Sequence, residues 1–181
     1  MISKPARRYA NALLQIAIEQ DQLDKILEDV RLIDQTLSSS RELRLFLKSP
    51  VINTDDKKEA LESIFEGSVT EDLMFNFLDL ISRKGRETLL DQIMRGFIDL
   101  YKEHAGIIDV SVYTAMDVSE DIRSKLREVL ESVTGKKVDA SYTEKPDLIG
   151  GMAVQIDDTV IDGTVKHKIN RLKTLFNEAD I

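Results

Sequence analysis

The chain has 181 residues, of which 42% are hydrophobic and 32% are charged, and its formal net charge is −8. This composition excludes a disordered chain, and the acidity argues against binding to nucleic acid or to an anionic membrane surface. The chain has no cysteine, so disulfides, thiolate metal sites and cysteine nucleophiles are excluded. No apolar run approaches the about 20 residues of a membrane span, and the first residues lack a secretory signal. Protein partners are therefore the expectation.

Hydrophobic periodicity predicts six helices in roughly the first hundred residues. The first begins near Ser3, carries Pro5 in its first turn and ends near Gln20. The others are predicted, in chain order, over Gln22 to Leu37, around Leu43 to Leu47, from after Thr54 to Gly67, over Val69 to Arg83, and from Leu89 to near His104. Six helices with short loops predict a compact bundle.

The pattern changes near Ala105-Gly106, where alternating apolar residues from Ile108 to Val112 predict a strand. A helix capped by Ser119 and ended by Gly135 follows. Its residues predicted to lie inside are Ile122, Leu126, Val129, Leu130 and Val133. Further strands are predicted at Val138 to Tyr142, at Met152 to Ile156 and around Val160, before a final helix with Val165, Ile169, Leu172 and Phe176 on one face. The predicted fold class is α+β, with an N-terminal six-helix bundle (1–105) and a smaller α/β domain with a short sheet and two helices (106–181).

The first and fifth helices carry unusually wide apolar faces. At about 100° per residue, the apolar arc spans roughly 240° on the first helix and roughly 160° on the fifth, against somewhat over 100° for an ordinary bundle helix. One hypothesis is a hydrophobic groove that a partner's amphipathic helix fills. The other is that both helices are central and wholly buried by their neighbours. The candidate groove residues are Tyr9, Ala12, Leu13, Ile16, Leu73, Phe77 and Leu80.

The final helix is basic. No acidic residue occurs between Asp162 and Glu178, and the cations are Lys166, Lys168, Arg171 and Lys173. These residues either form a face for an acidic partner or are a solvated surface, with cations favoured toward the helix C-terminus.

No constellation for catalysis or for a cofactor is found. His104 and His167 have no companions at metal-ligand or triad spacing. Gly135-Lys136 lacks the earlier glycine and the following Ser or Thr of a phosphate-binding loop. Gly150-Gly151 lacks the setting of a dinucleotide site, and we expect it to supply backbone freedom at the entrance of a strand. No enzymatic activity, cofactor or metal is predicted.

Two stretches resemble a known family. Residues 6–13, ARRYANAL, resemble the start of the delta subunit of bacterial and chloroplast F-type ATP synthases, the family of the mitochondrial oligomycin-sensitivity-conferring protein. Residues 146–156, PDLIGGMAVQI, then 160–165, VIDGTV, and 169–172 resemble the C-terminal pattern of that family. The resemblance covers essentially the whole chain, with Thr164 where Ser is common.

The resemblance implies a stator connector that joins the catalytic head to the peripheral stalk, so that proton-driven rotation is coupled to ATP synthesis. It implies that the helical domain holds the N-terminal helix of an alpha subunit, through Tyr9 and Ala12 of the first helix and Leu80 of the fifth. It also implies that the C-terminal domain meets the b subunits, which makes the basic face a candidate stalk contact. Structural roles are expected for Gly150, Gly151, Asp162 and Gly163. The expected location is the cytoplasmic face of a bacterial inner membrane, without insertion. The alternative is a free-standing regulatory domain that binds a helix in a groove.

Overall fold

The computed structural model describes residues 2–67, 69 and 72–179, with the side chains of 175–179 left out. The chain divides into two compact units, Met1–His104 and Ala105–Ile181. We call them unit 1 and unit 2. Each has its own hydrophobic core.

The described part of unit 1 is helical. Its helices are α1 (Lys4–Glu19), α2 (Leu23–Ser39), α3 (Arg41–Lys48), α4 (Thr54–Phe65), α5 (Asp72–Arg83) and α6 (Leu90–Ala105), with a 3-10 turn at Glu87–Leu89. Helix α1 begins where the Ser3 hydroxyl accepts a hydrogen bond from the Ala6 N–H, and Pro5 costs nothing in the first turn because its missing N–H would have no partner there. The predicted start of the fifth helix at Val69 precedes α5, and residues 70 and 71 lie outside the described part.

Small residues let α1 lie close to α6. Ala6, Ala10 and Ala17 are fully buried on the inner face of α1. A Cβ added to Gly96 of α6 would lie 3.3 Å from the Cβ of Ala10, so the two backbones approach to van der Waals contact. The buried face of α1 consists of these alanines with Leu13 and Leu14, while Ile16 and Ile18 remain exposed.

Unit 2 is built on a four-stranded sheet among its described residues. Its elements are β1 (Ile107–Thr114), α7 (Glu120–Thr134), β2 (Lys137–Glu144), β3 (Met152–Ile156), β4 (Thr159–Asp162) and α8 (Val165–Ala179), with a 3-10 turn at Pro146–Leu148. The strand order is β2-β1-β3-β4, with β1 parallel to β2 and both other pairs antiparallel. Helix α7 makes the crossover that a parallel pair requires. The described chain is therefore α+β, as the sequence predicts.

The prediction that α7 buries its whole apolar face is wrong. Leu130 lies in the core against the sheet, and Leu126 packs partly on it, but Val129 is 59% exposed and Val133 is 79% exposed. Ile122 is exposed with them. The reason is geometric: Val129 lies about 100° round the helix from Leu130, so a single layer of strands reaches one side of α7 and not the other.

Strand β4 and helix α8 are also less covered than their apolar patterns indicate. Val160 of β4 is exposed, and so are the described residues of the α8 stripe, Val165, Ile169 and Leu172. Phe176, which the sequence places in the same stripe, lies outside the described side chains. Across the described helices, none combines the length and the apolarity needed to cross a membrane.

Candidate partner-binding surfaces

Helix α1 presents an apolar stripe outside the core of unit 1. Ile16 is 38% exposed, Ala12 is exposed and Tyr9 is half-buried. These residues are spaced three and four apart, so they lie on one side of the helix. We call Tyr9, Ala12 and Ile16 the α1 stripe. Its exposure means that α1 is not wholly enclosed by its own neighbours.

Helix α5 carries a second exposed stripe. Leu80 is 42% exposed, and Leu73, seven residues earlier and hence on the same side, is half-buried. We call these two residues the α5 stripe. Since Leu80 and Leu73 keep part of their apolar surface in solvent, burial of either by a partner would be favourable.

Leu13 and Phe77, which the sequence groups with the stripe residues, lie elsewhere. Both are buried in the core cluster of unit 1. Leu13 is next to Ala12 in sequence, but it points about 100° away from Ala12 round the helix and into the core. In this conformation Leu13 and Phe77 hold α1 and α5 in place and leave the surface to their neighbours.

A cleft opens beside the α1 stripe. It is a cavity of about 380 Å³ lined by Pro5, Arg8, Tyr9, Ala12 and Arg86. Arg86 lies three residues after the end of α5, in the segment that leads to α6. The cleft therefore places the N-terminal half of α1 next to the C-terminal end of α5. Sequence reasoning missed Arg8 and Arg86, because an apolar-arc argument passes over charged residues.

The glycine-rich segments of unit 2 meet at one junction. Gly151 has a φ of +77°, and a Cβ added there would lie 2.7 Å from the carbonyl oxygen of Gly163. The Gly163 N–H donates to the Met152 carbonyl at 3.0 Å, and the Val165 N–H donates to the Gly150 carbonyl at 2.9 Å. These contacts join the start of β3 to the start of α8. The segments Gly150-Gly151 and Asp162-Gly163 therefore have a structural role.

Asp162 holds Thr164, the residue that caps the start of α8, at this junction. Its carboxylate accepts a hydrogen bond from the Thr164 N–H at 2.9 Å, and His167 Nδ1 lies 3.7 Å from its other oxygen. Hydrogen bonds from the side chain and backbone of Thr164 hold the pKa of Asp162 below its usual value, with a smaller contribution from the charge of His167. Thr164 is itself buried, and its hydroxyl accepts from the His167 N–H at 3.1 Å. His167 thus belongs to a helix start.

Helix α8 joins an exposed apolar stripe to flanking cations. At 100° per residue, Lys168 and Lys173 lie about 70° to either side of the stripe Val165–Ile169–Leu172, and Lys166 and Arg171 lie farther round. All four cations are exposed, and Leu172 of the stripe is 54% exposed. The helix can therefore offer a partner apolar contact at its centre and positive charge at its edges.

The described surfaces suit the binding of another protein. Among the residues the structure describes, no group of three or more His, Asp or Glu side chains could hold a metal ion. His104 is exposed at the end of α6. What the described chain does present is partly exposed apolar stripes on three helices, the arrangement of a protein that binds other proteins.

The comparisons with known proteins identify the family. A sequence model of the ATP synthase delta (OSCP) subunit matches residues 6–176. The chain is 40% identical to ATP synthase subunit delta of Chlorobium chlorochromatii (strain CaD3) over 169 residues, covering 93% of this chain and 94% of that one. It is 41% identical to ATP synthase subunit delta of Chlorobaculum parvum (strain DSM 263 / NCIMB 8327), covering 93% of each.

A solved structure has a similar fold. A chain in the cryo-EM structure of the Toxoplasma gondii mitochondrial ATP synthase hexamer superposes with a TM-score of 0.73 at 19% identity, covering 96% of this chain and 98% of that chain. The match to the family model and to these relatives makes the α+β chain a non-catalytic subunit of a larger assembly. It belongs to the ATP synthase delta (OSCP) subunit family, so it is a part of F-type ATP synthase and not an enzyme by itself.

Proposed function

We propose that this chain is the stator connector of its ATP synthase. Residues 1–105 work as one six-helix bundle that binds the N-terminal helix of an alpha subunit, and residues 106–181 bind the b subunits of the peripheral stalk. The connection keeps the catalytic head from turning with the rotor, so that proton-driven rotation yields ATP. The proposed location is the cytoplasmic face of the bacterial inner membrane, reached through the complex without insertion of this chain.

The observation that carries the alpha-binding half is the exposure of the α1 and α5 stripes. Ala12, Ile16 and Leu80 remain exposed in the structure although the core of unit 1 is well filled around them. Apolar residues at helical spacing on two helices, with a cleft beside Tyr9 and Ala12, suit an amphipathic helix laid along them. Leu13 and Phe77 contribute indirectly, because they pack in the core and hold α1 and α5 in place.

The stalk-binding half is supported by the surface of unit 2. The apolar stripe of α8, with Lys166, Lys168, Arg171 and Lys173 around it, suits a helix with an apolar face and acidic flanks. Contacts at the start of α8 fix the position of the stripe. They involve Gly150, Gly151, Asp162 and Gly163. A rigid base for the contact reduces the entropy lost on binding.

Apolar contacts supply most of the affinity in this proposal. Complete burial of a fully exposed side chain the size of Ile16 or Leu80 contributes about 1.5–3 kcal/mol. A docked helix adds the share that corresponds to the 38% of Ile16 and the 42% of Leu80 still exposed, and several such residues add together. An exposed ion pair contributes about 0–1 kcal/mol. Two separate binding surfaces on one chain also raise the avidity of the connection when the geometry lets both engage. Two linked contacts therefore hold a connector that is under torque better than one contact would.

The deciding experiment is a titration of the full chain with a peptide of the alpha-subunit N-terminal helix. We expect binding at micromolar concentration or better, and its loss in Ala12→Asp with an unchanged circular dichroism spectrum. The matched control is Ala10→Asp, two residues away but fully buried, which should unfold unit 1 because it places a charge in the core. Absence of binding by the wild-type chain would overturn the alpha-binding role. Unfolding of Ala12→Asp would show that Ala12 is a core residue.

A further inference from the structure

The cleft beside the α1 stripe combines apolar and cationic walls. Pro5, Tyr9 and Ala12 supply the apolar part, and two arginines, Arg8 and Arg86, complete the lining. Both arginines are exposed. They come from different elements, Arg8 from α1 and Arg86 from the turn after α5. The fold therefore brings two positive charges into one cavity from positions 78 apart in sequence.

Neither guanidinium is used within the described part of unit 1. Two nearby arginines have carboxylate partners: Arg7 lies 3.6 Å from Glu103, and Arg83 lies 2.8 Å from Asp79. No such ion pair involves Arg8 or Arg86 among the described residues. In a chain with a formal net charge of −8, two uncompensated arginines in one cavity form a local site for an anion.

Resting on the proposed function above, we propose that this cleft binds a carboxylate side chain of the docked helix. Arg8 and Arg86 hold the carboxylate, and Tyr9 and Ala12 receive the apolar residue beside it. Guanidinium groups suit this role because their planar N–H donors match the two oxygens of a carboxylate. The partner is thus a helix with an apolar stripe and an acidic residue at the end that lies over the start of α1.

The pair Arg8 and Arg86 would fix the direction of the docked helix as well as raise its affinity. An amphipathic helix could lie along an apolar stripe in either direction, since burial of apolar area is not directional. A charge-specific contact at one end removes this ambiguity, because the reversed helix would leave the arginines without a partner. The cleft therefore selects the polarity of the docked helix.

The test is a double-mutant cycle on the full chain and the alpha N-terminal peptide. The protein variants are Arg8→Gln, Arg86→Gln and the double variant, and the peptide variants replace each Glu by Gln and each Asp by Asn, one at a time. We expect each arginine variant to weaken binding of the unaltered peptide about fivefold. With the one peptide that lacks the carboxylate bound by the arginines, the arginine variants should bind like the wild type. The affinity of the wild-type pair should fall with added salt more steeply than that of the double variant.

The matched control is Arg7→Gln, which changes the same residue type one position away in α1. Arg7 lines another cavity with Glu103, so its variant should bind every peptide like the wild type. Unchanged affinity in the double arginine variant, or an equal loss with every peptide, would overturn the carboxylate site while leaving the proposed function standing. Failure of the wild-type chain to bind the unaltered peptide would remove both.

Discussion

Gly151 lies directly against the backbone of Gly163, so closely that a Cβ on Gly151 would lie 2.7 Å from the Gly163 carbonyl oxygen. The same Cβ would lie 3.2 Å from the Cα of Thr164. Because the obstacle is backbone on both sides, no side-chain rotation relieves it. The contact joins the start of β3 to the start of α8, and it explains why two glycines far apart in sequence belong to one structural feature.

Gly151→Ala should destabilise unit 2 by more than backbone strain alone. The left-handed φ of +77° costs a non-glycine residue roughly 1–2 kcal/mol, and the clash with Gly163 adds to this. Native-state hydrogen exchange of the β1–β3 amides measures the free energy of unfolding of unit 2. The matched control is Gly135→Ala, which has a φ of +67° but no atom within 4 Å of its Cβ position. Equal losses in the two variants would show that the close approach carries no energy.

Leu80→Ala should separate binding from stability. Leu80 is 42% exposed, so its truncation should lower the free energy of unfolding by only about 1 kcal/mol. Complete burial of a fully exposed leucine contributes about 1.5–3 kcal/mol. The docked helix can bury only the 42% of Leu80 that is still exposed, so binding of the alpha peptide should weaken by about three- to eightfold. The adjacent residue Ile81 is fully buried. Ile81→Ala should cost about 2–5 kcal/mol in stability. An unaltered peptide affinity in Leu80→Ala would remove α5 from the binding surface.

The wide apolar arcs of α1 and α5 show how much of the binding surface can be predicted from the sequence. Their width alone leaves open whether α1 and α5 are wholly buried or keep apolar surface in solvent, and the exposure of Ile16 and Leu80 in the structure favours the second. The arcs do not reveal which members face inward, and Leu13 and Phe77 are buried. For α1, that choice is tied to the close packing of Ala10 on Gly96 of α6, which no periodicity in a single helix records.

On helix α7 the apolar pattern predicts more burial than the structure shows. Val129 and Val133 have the spacing of core residues, yet they are exposed. An amphipathic pattern indicates the side of a helix that avoids water, but it does not say whether the chain itself or another chain covers that side. The number of strands beneath α7 and their order decide this, and both are properties of the folded sheet.

Leu172→Asp should affect stalk binding more than removal of a cation does. Leu172 is 54% exposed in the α8 stripe, so the variant should leave unit 2 folded while it places a charge in the proposed contact. Lys168→Gln removes one exposed charge, worth about 0–1 kcal/mol, and its effect should shrink at high salt. Sedimentation or calorimetry with a soluble b-subunit fragment compares the two. A larger loss in Lys168→Gln would mean that charge, rather than apolar contact, dominates this surface.

The cap at the start of α8 should weaken in acid. Hydrogen bonds from Thr164 lower the pKa of Asp162 below the ordinary value of 3.8, so the folded state holds the carboxylate in its charged form. The resulting stabilisation is fully present above about pH 3.8 and is lost as the pH falls through the lower pKa of the folded state. Protection of the Thr164 amide, which donates to Asp162, should therefore fall over that range in hydrogen exchange. Asp162→Asn should keep an acceptor oxygen but show no such fall. Asp158→Asn, in the exposed turn before β4, should behave like the wild type; a fall that persists in Asp162→Asn would assign the acid sensitivity to another group.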